Sequence, residues 1–550
     1  MKTAIFLLLI TVITINSAWA VEAPFKHGVN LTEWFQSPSV RQVQFTKFTK
    51  QDFIDIKNLG CDVVRLPINL HAMTSGQPDY TIDPLLFYLL DQVVDWTEDL
   101  DMNLILDNHS SVPDANTEPN IVDTLVPVWT QMADHYKNRS NHIFYEVLNE
   151  PHGISDQIWN NIQETVIDAI RTVDPNHAII VGPANWNSYK NLDAMPYYSD
   201  DKLIYTFHFY DPFIFTHQGA SWTKPSLENL VGVPFPYSYE KMPQLPYEYY
   251  HTWVEDAYIW YDTYGRFRAL KEAIQTAAEF KQSRNVPLYC GEFGVYRKNC
   301  FDEPRDLWYF YVRMYFDTYG ISWTTWDYKG GFGIFKKDTY ELIDYDLNVT
   351  LAKLLGFHTP PQEEFVIYTD IRGFDIYSDY VASNILESSG LKPNKLDYYS
   401  ENNPLDGKFC IRFTGVDQYG KISLRFIPYK GLWYLVYYDY VLDFYVRSNN
   451  PDTKFDVRFV DTKKTDNPYD HPWRMRYKID DSVAIWDGQW NHVRIPLKDF
   501  VEHGSFDNGM WYDPVGAFEW GEVDKFEIVS EYGNLNGTDI YFDDISIAAP

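Results

Sequence analysis

Cysteine is scarce in this chain: four in 550 residues, at Cys61, Cys290, Cys300 and Cys410. That scatter matches neither a dense disulfide framework nor a zinc ligand set. Most of the four are expected to be buried free thiols. If any two bridge, the pair is Cys290–Cys300. Positive charge is short as well. Lys plus Arg is 46 against 77 Asp plus Glu, a net charge of -31. So acidic a chain is a poor partner for nucleic acid or an anionic membrane surface. Long apolar runs are missing apart from Ala4 to Ile15, which follows Lys2 and precedes Ala18-Trp19-Ala20. This reads as a secretory leader cleaved near Ala20, too short to span a bilayer comfortably. The expected location is therefore outside the cytoplasm, extracellular or periplasmic. No cysteine follows the cleavage site to carry a lipid anchor. No Gly-rich phosphate fingerprint follows a strand, and no repeat or low-complexity tract occurs.

Aromatics are plentiful, 17% of the chain with 18 Trp and 43 Tyr. They serve large cores or the flat faces of sugars, and composition does not choose between these. The length predicts two domains. Eight apolar runs alternate with amphipathic stretches: HGVN at 27–30, VVRLPI at 63–68, NLILDNH at 103–109, IFYEVLNE at 143–150, AIIVG at 178–182, LIYTFHFY at 203–210, PLYCGEFG at 287–294 and ISWTTWDY at 321–328. Ser155 is placed to cap a helix with Ile158, Ile162, Val166, Ile170 and Val173 on one face. Leu270, Ile274 and Ala277 or Ala278 mark another. Eight buried strands separated by helices predict a (β/α)8 TIM barrel over 21–358. An open doubly wound sheet is the alternative. One connection, 217–264, is long and rich in proline and aromatics, and is expected to wall a cleft. Residues 359–362 read as a short proline-stiffened linker. From 363 to 550 the pattern has period two, with turn signals Asp487-Gly488, Asn508-Gly509 and Asn536-Gly537. This is an all-β sandwich.

The C-terminal ends of barrel strands face one pocket. The polar residues there are Asn30, Arg65, His109, Asn149, Glu150, His208, Tyr210, Glu292 and Trp326. Singly, each is most simply a structural partner. Glu150 and Glu292, however, end strands four and seven, which are roughly opposed in an eight-stranded barrel. Two such carboxyls suit glycoside cleavage, one protonating the leaving oxygen and one below the ring. Arg65 and Tyr210 are positioned to keep Glu292 ionised. An apolar wall and like-charge repulsion would raise Glu150 to serve as the acid. Asn149 would donate to the sugar 2-hydroxyl, His109 and His208 would orient these groups, and Trp326 would form a platform. A metal site from His109, His208 and the glutamates is the rival, without local ligand spacing such as HExxH to support it.

In this order the residues resemble glycoside hydrolase family 5, the large cellulase family of (β/α)8 barrels. The stretches IFYEVLNEPH, FHFYDPFIFTHQGASW, GPANWNS and WTTWDYKGGFGIF carry the likeness over 27–356. It implies a retaining endo-β-1,4-glucanase with Glu150 as acid/base and Glu292 as nucleophile, needing no catalytic cofactor. β-Mannanase, xyloglucanase and lichenase are alternatives on the same scaffold, and a silent glycan-binding protein is the alternative of another class. Trp34, Phe35, Trp186 and Trp222 are candidates to stack on pyranose rings. The C-terminal region, with WNHVRIPLKDF and DIYFDDISI, resembles jelly-roll carbohydrate-binding modules of the family 11 type and its relatives. The likeness implies a structural calcium at Asp543, and Trp473, Trp486, Trp490, Trp511 and Trp520 are platform candidates. The expected partner is a polysaccharide, with no nucleic acid or membrane, and the expected state is a monomer. Sequons at Asn30 and Asn108 would fall in the catalytic mouth, so a bacterial source or unused sites are expected.

Overall fold

The computed structural model describes residues 21–110, 115–392, 394–464 and 467–550. The expected leader, 1–20, lies outside them. Eight strands form a closed parallel barrel in chain order: β1 (His27–Asn30), β2 (Val63–Ile68), β3 (Asn103–Asn108), β4 (Ile143–Glu146), β5 (Ala178–Val181), β6 (Leu203–Phe209), β7 (Leu288–Phe293) and β8 (Ser322–Thr325). β8 closes on β1, with Thr324 opposite Gly28. The doubly wound alternative is excluded. Strand β4 is shorter than its apolar run, so Glu150 sits in the loop beyond it.

The barrel interior is layered by the two-residue period of its strands. At the bottom, Phe25 from the segment ahead of β1 plugs the opening. It meets Phe144 and Tyr289 edge-on, with ring centroids 5.1 and 5.2 Å away. Val63, Ile105, Ile180 and Ile204 complete this apolar layer. Two residues further along the same strands stand Arg65, Asp107, Glu146 and Thr206, all buried. Between β6 and β7 the pairing skips Gly291: Phe207 faces Cys290, and the next pair is His208 with Glu292. This bulge turns Glu292 inward where strict alternation would point it away. A side chain at Gly291 would put Cβ 3.1 Å from both Thr206 Oγ1 and His208 Nε2, which explains the glycine.

Outside the barrel, Ser155 caps the helix Asp156–Val173 by accepting from Ile158 N–H. The buried stripe is Trp159, Ile162, Val166 and Ile170, while Ile158 is exposed, one position off the expected face. Helix Phe267–Arg284 buries Leu270, Ile274, Ala277 and Ala278. All four cysteines are free, so the Cys290–Cys300 pairing is not made. Cys290 is buried within β7 and Cys300 lies in the loop after it. Asn30 and Asn108 are fully buried, which closes both sequons.

The C-terminal region is a sandwich of a seven-stranded and a six-stranded antiparallel arrangement, with Phe374–Tyr377 pairing on Asp539–Ala548. Phe455, Val457, Phe459, Val493, Ile495, Phe526 and Ile528 fill its core. Of the platform candidates, Trp473 and Trp486 are core residues and Trp490 and Trp520 are half-buried; Trp511 alone is exposed. Asp543 is buried, with Oδ2 accepting from Leu405 N–H and Oδ1 from Asp544 N–H. That donor set belongs to a loop anchor. Among the described residues, no group of three His, Cys, Asp or Glu side chains within ligating distance includes Asp543.

The linker is no free hinge. His358 N–H donates to Leu59 O, Glu363 N–H donates to Asp344 O, and Gln362 links Leu347 N to Ile343 O. The sandwich also grips the loop between β1 and the first barrel helix. Arg41 donates to Tyr399 O at 3.1 Å, Thr46 Oγ1 donates to Val381 O, and Gln44 bonds both Ile385 O and Glu387 N. The Tyr399 hydroxyl is buried in this seam, donating to Val43 O and accepting from Phe45 N–H.

Removing that hydroxyl strands a buried donor and a buried acceptor, each costing about 1–3 kcal/mol. Tyr399→Phe should therefore lower Tm by several degrees in a thermal melt at unchanged activity. An unchanged Tm would mean the seam carries no stability.

Candidate active site

The site is organised around Arg65, which β2 projects into the barrel with its side chain fully buried. A buried guanidinium costs several kcal/mol unless its donors and charge are matched. Here every donor direction is used. Nε and Nη2 make a two-pronged contact with Glu146, both at 2.8 Å. Nη1 donates to Glu292 Oε1 at 2.7 Å and to Asn30 Oδ1 at 3.0 Å. Nη2 also reaches Asn149 Oδ1 at 2.9 Å and lies 3.0 Å from Asp107 Oδ2. These acidic neighbours hold the guanidinium well above its ordinary range, against the opposing effect of burial.

Glu292 receives a second donor, the Tyr210 hydroxyl, at 2.9 Å on Oε2. His208 Nδ1 lies 2.8 Å from Glu150 Oε1 and 3.6 Å from Glu292 Oε2. Atoms of Glu150, His208 and Glu292 all fall within 4.8 Å of one another. Such a trio has the dimensions of a cation site. The Arg65 guanidinium, already on Glu292, supplies positive charge there and disfavours a second cation.

Burial pushes the Glu150 carboxyl up to about 7, with His109, Arg65 and His152 opposing the shift. Of the two causes expected from sequence, desolvation by the surrounding wall is the one that acts, and like-charge repulsion is not among them. Burial likewise lowers His109 and His208 to about 4, so both imidazoles are neutral near pH 7. Neutral rings give a consistent network. His208 donates from Nδ1 to Glu150. His109 donates from Nδ1 to Asp107 at 2.7 Å and accepts from Asn149 at 3.3 Å on Nε2. Asn149 is thus held at both ends of its amide, with one N–H left toward the cleft. Glu150 itself has φ 48°, a left-handed conformation that is costly for a residue with a side chain.

The cleft above these groups has a volume of about 860 Å³ and is lined by His109, Asn149, Glu150, His208, Tyr210, Glu292 and Trp326. Trp326 lies parallel to His109 with ring centroids 5.5 Å apart. Trp186 and Trp222 are exposed on its walls. Trp186 is held by an unusual turn: Asn185, Trp186 and Asn187 all have positive φ, and the indole stacks on His152 at 3.5 Å. The 217–264 connection contributes Trp222, Thr223, Lys224 and Trp253, so it does wall the cleft. Three expected residues are placed elsewhere. Trp34 is buried behind the mouth among Phe35, Phe45, Phe48, Phe53 and Trp96, with its indole N–H on Phe45 O. It is a core residue and cannot stack on substrate, and neither can Phe35. Asn30 is also buried, acting beneath the cleft on Arg65 and on the Gly291 and Thr325 carbonyls.

Sequence reasoning passed over Asp107 and Glu146. Their signal was present, a carboxylate inside an apolar strand two residues from an inward-facing apolar neighbour. Burial raises Asp107 to about 7. The cleft residues His217, Tyr296 and Phe332 come from loops and Phe213 from the short helix Phe213–Thr216, and none had a strand pattern to mark it.

Comparison with known proteins finds likenesses over both regions of the chain. The family described as Cellulase (glycosyl hydrolase family 5) matches residues 26–331, and Carbohydrate binding domain 30 matches 435–549. The second match names domain 30 where the sequence likeness pointed to the family 11 type and its relatives. Endoglucanase 3 of Fibrobacter succinogenes is 30% identical over 331 residues, covering 56% of this chain and 50% of that protein. Endoglucanase C of Acetivibrio thermocellus is 29% identical over 332 residues, covering 57% and 94%. The chain thus matches half the length of the first relative and nearly all of the second. A crystal structure of Thermotoga maritima Cel5A with mannotriose is 26% identical and has a TM-score of 0.51, covering 60% of this chain and 97% of that one.

The raised Glu150 carboxyl has a stability signature. Between its ordinary value of 4.5 and about 7, the unfolded chain has lost the proton that the folded chain retains. Folding is therefore opposed increasingly as pH rises through that window. Glu150→Gln removes the titration, so its Tm should exceed that of the wild type at pH 8, and the gap should close toward pH 4. An equal gap at both pH values would contradict the assignment.

Proposed function

Since the chain belongs to the cellulase family, glycosyl hydrolase family 5, we propose that it cleaves β-1,4-glucan chains internally with retention of configuration. Glu150 is the acid/base and Glu292 the nucleophile. The observation that carries the proposal is the pair itself, with carboxyl oxygens no more than 4.8 Å apart. Retaining enzymes hold their carboxyls about 5 Å apart, while inverting enzymes leave room for a water at 6.5 Å or more.

Glu150 enters the first step protonated, which its value of about 7 permits in neutral solution. It gives its proton to the glycosidic oxygen as that bond breaks. Glu292 Oε1 and Oε2 are engaged by Arg65 and Tyr210, which orient the carboxylate that attacks the anomeric carbon from the opposite face. A covalent glycosyl ester forms and the shortened chain leaves. Glu150, now a carboxylate, takes a proton from water, which displaces Glu292 and restores both groups. The remaining N–H of Asn149 is available to donate to the sugar 2-hydroxyl. Two carboxyls and one water carry out both displacements and both proton transfers, so the reaction calls for no cofactor. The apolar leader supports action outside the cytoplasm, on polysaccharide.

Mannan is a second reading, because a structurally similar protein, Thermotoga maritima Cel5A, has been crystallised with mannotriose as well as cellobiose. Product profiles on cellulose, lichenan, xyloglucan and mannan decide between them.

Glu292→Gln should lower kcat on carboxymethylcellulose by several orders of magnitude with the fold intact. Glu150→Gln should be nearly as damaged on cellulose but retain the first step on aryl glycosides, whose leaving group needs no proton. In the wild type, kcat/KM should fall above about pH 7 as Glu150 loses its proton. Equal turnover by wild type and Glu292→Gln would overturn the mechanism.

A further inference from the structure

The 217–264 connection does more than wall the cleft. Beside the cleft lies a second groove of about 770 Å³, built from residues 211–214 beyond β6, helix Trp253–Ile259, the turn Tyr261–Tyr264 and the first turns of helix Phe267–Arg284. The two depressions share Tyr189, Lys190, Asp211, Phe213 and Trp253, so one opens into the other. The shared rings are held in place. Trp253 Nε1 donates to Lys224 O at 2.9 Å, Phe213 stacks on His217 at 3.9 Å, and the Tyr189 hydroxyl donates to Asp211 at 2.7 Å. Further along the groove, Trp260 and Tyr264 are each 58% exposed. Large aromatic rings in solvent at the mouth of a polar-rimmed groove are the signature of a binding surface.

We infer that this groove is a distal binding site for the polysaccharide itself, carrying the chain out of the cleft over Phe213 and Trp253 and on to Trp260 and Tyr264. The inference rests on the proposed β-glucan reading. Its chemistry selects the occupant. The aromatic floor suits pyranose faces, while Asp211, Asp256, Glu272 and Thr276 offer acceptors to hydroxyl groups. An anionic ligand would meet three carboxylates. An apolar one would leave those acceptors unused. The groove lies beyond the reacting bond, so its contribution is to the affinity for long chains and leaves the chemical step alone.

Trp260 lies outside the catalytic machinery and its exposure makes it safe to truncate. Trp260→Ala should raise KM for hydroxyethylcellulose roughly five- to tenfold, with kcat nearly unchanged. It should leave kcat/KM for 4-nitrophenyl cellobioside unaltered. Trp260→Phe, which keeps a ring, should recover most of the loss. An unchanged KM on the polymer, or equal losses on both substrates, would overturn the inference. Affinity electrophoresis through hydroxyethylcellulose or mannan gels, with Glu292→Gln against Glu292→Gln/Trp260→Ala, reads binding without hydrolysis. Loss of retardation in the double variant supports the groove even if the hydrolytic reading fails, and identical mobility refutes it.

Discussion

A single buried cation sets the geometry of the barrel mouth. Arg65 stands where the apolar plug of the barrel gives way to its polar layer, and no water reaches it. Its charge has to be met by protein, so Glu146, Asp107 and Glu292 converge on it from three other strands. The planar fork fixes directions as well as distances. Glu146 occupies one edge of the guanidinium and holds the plane. Asn30 and Asn149 take the remaining donors. What is left for Glu292 is one oxygen position, defined from below by Arg65 and from the side by Tyr210.

The second carboxyl is governed by the opposite circumstance. Among the described residues no Lys or Arg pairs with Glu150, which is paired with a neutral imidazole. Two glutamates within touching distance thus differ because one is anchored on charge and the other on a ring that burial keeps uncharged. The histidines matter here through what they do not carry. A protonated His208 would favour the ionised form of Glu150 and defeat its use as an acid.

Much of this was legible in the sequence. The eight strands, the opposition of Glu150 to Glu292, and the roles of Arg65 and Tyr210 as donors follow from where apolar runs stop. The failures have definite causes. Trp34 ends up in the core because the loop after β1 folds back as short 3-10 turns that bury Phe45 beside it, and no periodicity announces such turns. The inward turn of Glu292 needs the skip at Gly291, whereas simple alternation from Tyr289 would have put Gly291 inside. Asp107 and Glu146 were hidden in runs read only for their hydrophobicity. For Glu150 the expected apolar wall accounts for the shift and the expected like-charge repulsion does not, because the balance between them is set by packing that sequence does not display.

The seam between barrel and sandwich has a further consequence. The loop that Tyr399 and its neighbours clasp begins at Glu33 and Gln36, which line the cleft, and runs on to Phe45. A module joined by a slack tether lets its enzyme sweep a disc of surface around each point of attachment. Here the catalytic mouth keeps a fixed offset and heading from the module. Under the proposed function, a module holding a polysaccharide would leave only bonds at that displacement within range, and reaching new ones would require the whole molecule to step.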